Sequence, residues 1–139
     1  MIRRVMLMLA CLTLVASAQS APAQMLPRPE IFIREPVNGA IVSGSFSVVF
    51  GLRGYGVAPA GINVANTGHF HLVINGQVPA AGTLIPPNDS IYHHFGSGVI
   101  ETRLTLPRGT HTLRLVLGDF EHKVIGPDLV SAPIKITVK

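Results

Sequence analysis

Two histidines separated by one residue stand in the middle of this chain, in the stretch Gly68-His69-Phe70-His71-Leu72-Val73-Ile74-Asn75-Gly76. Neutral imidazole is the commonest metal ligand and suits Zn, Cu or Ni. In an extended strand, side chains alternate between faces. His69, His71 and Val73 therefore share one face, and the apolar Phe70, Leu72 and Ile74 share the other. The apolar set should meet a core. The two imidazoles should then stand side by side on the outer face, within reach of one ion. Asn75-Gly76 tolerates positive φ at both residues and marks the strand's end.

The chain holds six histidines: the 69/71 pair, His93-His94, His111 and His122. A third or fourth ligand has to come from a neighbouring strand or loop. His94 and His122 are the leading candidates, with Asp119 a weaker one and Asp89 also in a loop. His111 shares the inward register of Leu113 after a turn, where it needs no ligand role. The plain alternative is that the histidines bond backbone carbonyls and order the loops.

Other chemistry is poorly supplied. There is no G-x-S-x-G elbow, no phosphate-binding loop and no H-E-x-x-H. Carboxylates are few, and Glu101 reads as a solvated strand residue facing Arg103 or Arg114. Cys11 is the only cysteine. It lies in an N-terminal apolar run and should leave with it. That excludes a blue-copper centre and cysteine nucleophiles. Met25 would be the only methionine left, which disfavours soft Cu(I) sites.

The N-terminus reads as an export signal over residues 1–18. Met1-Ile2-Arg3-Arg4 is basic, residues 5–15 are an apolar run too short for a stop-transfer helix, and Ala16-Ser17-Ala18 offers a cleavage site. Cleavage could fall as late as residue 23, after Ala21-Pro22-Ala23. The expected location is the periplasm or the medium, with no membrane span once the signal is gone. Residues 19–29 form a flexible lead-in and residues 30–139 a single domain. The net charge of +4 includes Arg3 and Arg4. The other basic residues are scattered without aromatic partners, so nucleic-acid binding is not supported.

The elements that must position the histidines read as strands. Charged residues are 13%, with 14 Gly and 11 Pro, a composition suited to many turns. Residues 31–33, 45–52, 69–74, 91–95, 99–106, 111–117 and 134–138 are the strands. Within 45–52, Phe46, Val48, Phe50 and Leu52 face one way. Pro107-Arg108-Gly109-Thr110 reads as a hairpin turn between two of the strands. Long loops at 54–68, 77–90 and 118–133 complete the pattern. About seven strands and no amphipathic helix imply an all-β fold, an immunoglobulin-like antiparallel β-sandwich.

Residues 35–138 resemble a bacterial exported family catalogued as domain of unknown function 4399. The resemblance lies in Gly56-Val57-Ala58-Pro59-Ala60-Gly61, Asn66-Thr67-Gly68-His69-Phe70-His71-Leu72, His94-Phe95-Gly96-Ser97-Gly98, and the run Leu106-Pro107-Arg108-Gly109-Thr110-His111-Thr112-Leu113 continuing through Gly118-Asp119 and His122. It implies a small exported β-rich domain with recurring histidines at positions 69, 71, 94, 111 and 122. It also implies further histidines at the position of Phe70 and near residues 124–126, which this chain lacks. It implies no activity.

Three functional classes follow. The favoured one is a non-catalytic binding module whose histidines hold Cu or Zn. The second is a structural or interaction domain of the cell envelope, docking a protein partner. The third is a metal-dependent enzyme, which needs an open coordination position and a nearby base.

Overall fold

The computed structural model describes residues 28–139, so the expected signal and most of the lead-in lie outside the described residues. The fold is all-β, with strands β1 (Glu30–Glu35), β2 (Ile41–Val42), β3 (Ser45–Arg53), β4 (Gly56–Val57), β5 (Thr67–Ile74), β6 (Tyr92–Phe95), β7 (Glu101–Thr105), β8 (Gly109–Gly118) and β9 (Ile134–Val138), and one 3-10 turn at Pro127–Leu129. Nine strands replace the expected seven because two two-residue strands, β2 and β4, add themselves in parallel to β9 and β5.

Two sheets face each other. One has the order β1-β3-β7; the other has β2-β9-β8-β5-β4, with β6 paired to β5 as well. The alternation of β3 survives intact: Phe46, Val48 and Phe50 are buried, and Ser45 and Ser47 are exposed. Ile31, Ile33 and Leu104 join them from the same sheet. Phe70, Leu72, Ile74, Leu113, Leu115, Leu117 and Ile136 meet them from the other. Period-2 patterning thus builds the core as the sequence implies.

The turn at residues 107–108 differs from expectation. β7 pairs with β3, whereas β8 pairs with β5 and β9, so the chain crosses between sheets here instead of folding into a hairpin. Leu104 of β7 and Leu113 and Leu115 of β8 enter the same core cluster from opposite sheets. Glu101 does not meet the expected arginines. Arg103 bonds the Ser45 hydroxyl and carbonyl, and Arg114 donates to the Ser131 carbonyl at 3.2 Å.

The far face of β5 also differs from expectation. It is not an outer face. The loop over residues 77–90 and the segment after β8 fold across it and are stitched together. Gly82 N–H donates to the Val124 carbonyl (2.8 Å), Val124 N–H to the Thr83 carbonyl (3.0 Å) and Ile85 N–H to the His122 carbonyl (2.8 Å). Val73, Ile85, Val116 and Val124 form a second, smaller core beneath this cover. The long loops had apolar residues to bury, and this face of β5 and β8 was the surface left to bury them on.

Candidate metal centre

Strand parity and register together assemble the site. His69 and His71 project from one face of β5. In the β5–β6 ladder, His94 stands directly opposite His71, so it shares that face. His93 stands opposite Leu72 and is carried to the other side, beside Ile74, Ile91 and His111. On the other edge of β5, His69 is opposite Gly118. A side chain at 118 would collide: its Cβ would lie 2.9 Å from His71 Nε2 and 3.2 Å from Ile85 Cδ1. Gly96 clears the same kind of space for His94, since a Cβ there would sit 2.4 Å from that ring.

The fourth imidazole comes from a tight turn. Asp119 Oδ1 accepts from the N–H groups of Glu121 (2.9 Å) and Lys123 (2.8 Å), and the Asp119 carbonyl accepts from His122 N–H at 3.0 Å. The winding places His122 in the left-handed region, φ 67°. Histidine is among the non-glycine residues that tolerate this conformation. Its ring turns inward to the others.

The rings gather in one cluster and pair through Nε2. His69 Nε2 and His71 Nε2 are 3.0 Å apart, and His94 Nε2 and His122 Nε2 are 3.2 Å apart. Ring centroids of His69 lie 4.8 Å from His71, 5.0 Å from His94 and 4.8 Å from His122. The widest separation is His71 to His122, 5.9 Å. One ligand atom from each of His69, His71 and His94 lies within 4.8 Å of the other two, so these three could hold a metal ion. His122, Asp119 and Asp89 are outside that set, although His122 Nε2 pairs with His94 Nε2. Asp119 shapes the turn that carries His122, and Asp89 Oδ1 accepts from the N–H groups of Ile91 and Tyr92, both at 2.7 Å.

Burial fixes the protonation of the β5 pair. His69 and His71 are 0% and 1% exposed. Desolvation, then the neighbouring imidazoles His122 and His94, lowers the pKa of His69 to about 4; Asp119 offsets this in part. His71 falls to about 3, by burial first and then by His69, His94 and His122. Burial and His122 also lower His94. At neutral pH the buried rings are uncharged, and each presents a nitrogen lone pair. Nδ1 of both His69 and His71 is buried without a hydrogen-bond partner. Neither orders a loop by bonding a carbonyl.

His111 does do that. Its Nε2 donates to the Pro107 carbonyl at 2.8 Å, and its Nδ1 meets Asn75 Nδ2 at 3.0 Å. Sequence reasoning missed three supporting residues: Gly96, Gly118 and Asn88, whose Oδ1 accepts from His94 N–H at 3.0 Å. The two glycines stand in the motifs His94-Phe95-Gly96 and Gly118-Asp119. That closeness to histidine was the available signal.

An open cleft of about 420 Å³ lies against the cluster, bounded by His71, His94, His122 and the apolar wall Leu84, Ile85, Pro86 and Pro87.

The fold and site together define a β-sandwich domain with an imidazole cluster under its loops, two rings buried and two part-exposed. The chain belongs to the family described as domain of unknown function (DUF4399), whose model matches residues 48–139. That span includes all four converging histidines. The chain matches no curated protein and no solved structure. Among the described residues, no helix is long and apolar enough to cross a membrane.

Proposed function

We propose that this domain is an exported, periplasmic metal-binding module. It holds one divalent transition metal, Cu or Zn, through Nε2 of His69, His71 and His94, with His122 completing the set. The observation that carries this reading is that four imidazoles gather and pair through Nε2, His69 with His71 and His94 with His122, with His69, His71 and His94 close enough to share one ion and no carbonyl or carboxylate among these Nε2 partners. Two imidazole nitrogens 3.0 Å apart can share only one proton. A cation between them would engage every lone pair. All-nitrogen donation suits Cu(II) and Zn(II). Export rests on the signal pattern of residues 1–18, and the domain itself starts at residue 30.

The alternative, an envelope interaction domain with loop-ordering histidines, is favoured only at His111. No carboxylate in the close set offers a base for an enzyme; Glu121 stands at the cleft and is ion-paired with Lys123 at 2.9 Å.

The test is calorimetric titration of Cu(II) and Zn(II) into the chain purified without a histidine tag, beside His69→Ala/His71→Ala. One equivalent bound below micromolar Kd, and lost in the variant, supports the site. Weak binding that the variant leaves unchanged sinks it and returns the histidines to a structural role.

A further inference from the structure

The cleft beside the cluster has a shape and a chemistry of its own. Three of the four imidazoles, His71, His94 and His122, reach its floor, while His69 lies behind them. A metal held by this set would therefore be reached from the cleft. The cleft is within the size range of small-molecule sites, roughly 300–1,000 Å³. Its wall is Leu84, Ile85, Pro86 and Pro87. Two adjacent prolines stiffen that wall, and Ile85 is pinned by its N–H to the His122 carbonyl. The cleft is thus largely formed before anything enters it, which lowers the ordering cost of binding.

Charge decides the head group. Uncharged imidazoles leave a divalent ion's two positive charges uncompensated. The nearby carboxylates offset this only in part and supply no ligand to the ion: Asp119 Oδ1 is taken up by its own turn, and Glu121, on the cleft's lining, pairs with Lys123. We infer that the cleft admits a small organic carboxylate with an apolar body, its oxygen joining the metal on the cleft side and its body lying along Leu84, Ile85 and the two prolines. This rests on the metal-binding reading and adds a ligand to it. Copper(II) and zinc both accept such an added ligand, zinc by expanding to five-coordinate.

The experiment uses the Cu(II)-loaded full chain, with copper stoichiometry measured first. Azide, acetate and phenylacetate are then titrated, and the visible and paramagnetic-resonance spectra of the copper are followed. All three anions should shift the spectrum. Phenylacetate should half-saturate at a concentration about tenfold or more below acetate. In Leu84→Ser, that advantage should shrink by threefold or more. Leu84 is 64% exposed, and unchanged copper stoichiometry and azide response report that the variant is folded. Ile85→Ala is the second variant, with the same expected loss. Copper bound but blind to azide means a closed four-imidazole site and overturns the inference while leaving the metal reading intact. Phenylacetate no tighter than acetate, or an advantage that survives both variants, overturns it too. Failure to bind copper at all removes both.

Discussion

Nε2 of His71 and Nε2 of His69 lie 3.0 Å apart in a region with almost no solvent exposure. Metal–nitrogen bonds of about 2.0–2.1 Å in a tetrahedron place neighbouring ligand nitrogens about 3.4 Å apart. The pair is therefore poised within a few tenths of an ångström of a chelating geometry. Loading Zn(II) at about 100 times its Kd should stabilise the fold by about 2.7 kcal/mol. Thermal unfolding with zinc, then after chelation, measures this; an unchanged midpoint contradicts it.

Replacing the buried pair with leucines separates binding from structure. Both Nδ1 atoms are buried without partners. Removing polar groups that are poorly satisfied, in favour of apolar ones of similar size, is neutral or stabilising. His69→Leu/His71→Leu should therefore match or exceed the metal-free parent in stability, by up to roughly 1 kcal/mol, and bind no metal. A loss of more than about 2 kcal/mol in denaturant unfolding would mean that the rings hold the loops in place.

Gly118 and Gly96 should separate in their effects. In Gly118→Ala the new Cβ meets His71 Nε2 at 2.9 Å inside the packed second core. Overpacking there should cost roughly 1–3 kcal/mol and weaken metal binding. In Gly96→Ala the Cβ meets only the His94 ring and, at 3.3 Å, Ala60 Cβ. His94 is part-exposed and can swing away, so stability should change by less than about 1 kcal/mol while metal affinity falls. Equal destabilisation of the two variants would contradict this.

Acid should unfold the metal-free domain by way of the same rings. His69 and His71 have folded pKa values of about 4 and about 3, lowered chiefly by burial, against an ordinary value of 6.5. The unfolded chain takes up protons first. Their contribution is thus constant above about pH 6.5 and is lost progressively as pH falls towards 4 and then 3. The loss should reach roughly 1–2 kcal/mol per ring at pH 5. Urea unfolding from pH 8 to pH 4, with His69→Leu/His71→Leu alongside, checks this; the variant should show a flatter profile.

Much of the scaffold was legible from local pattern. Phe46, Val48 and Phe50 on β3, and Leu113, Leu115 and Leu117 on β8, fall where alternation puts them. His69 and His71 share a face because the strand's period is two. That face was expected outside and is buried instead. Its cover comes from loops whose attachments, Ile85 to His122 and Gly82 to Val124, are distant in sequence. The hairpin expected at residues 107–110 is a crossing between sheets, since a turn motif does not record which strand each flank will pair with.

By itself, the sequence determined the seven longer strands, the apolar faces of β3, β5 and β8, and the presence of two imidazoles side by side. Only the tertiary structure decided which further histidines join them. His94 arrives because the β5–β6 register sets it opposite His71, and a slip of one residue would have delivered His93. His122 arrives because a turn wound on Asp119 aims its ring inward beneath the loop cover. Register and loop packing are settled by long-range burial of apolar surface, which no short stretch of chain encodes alone.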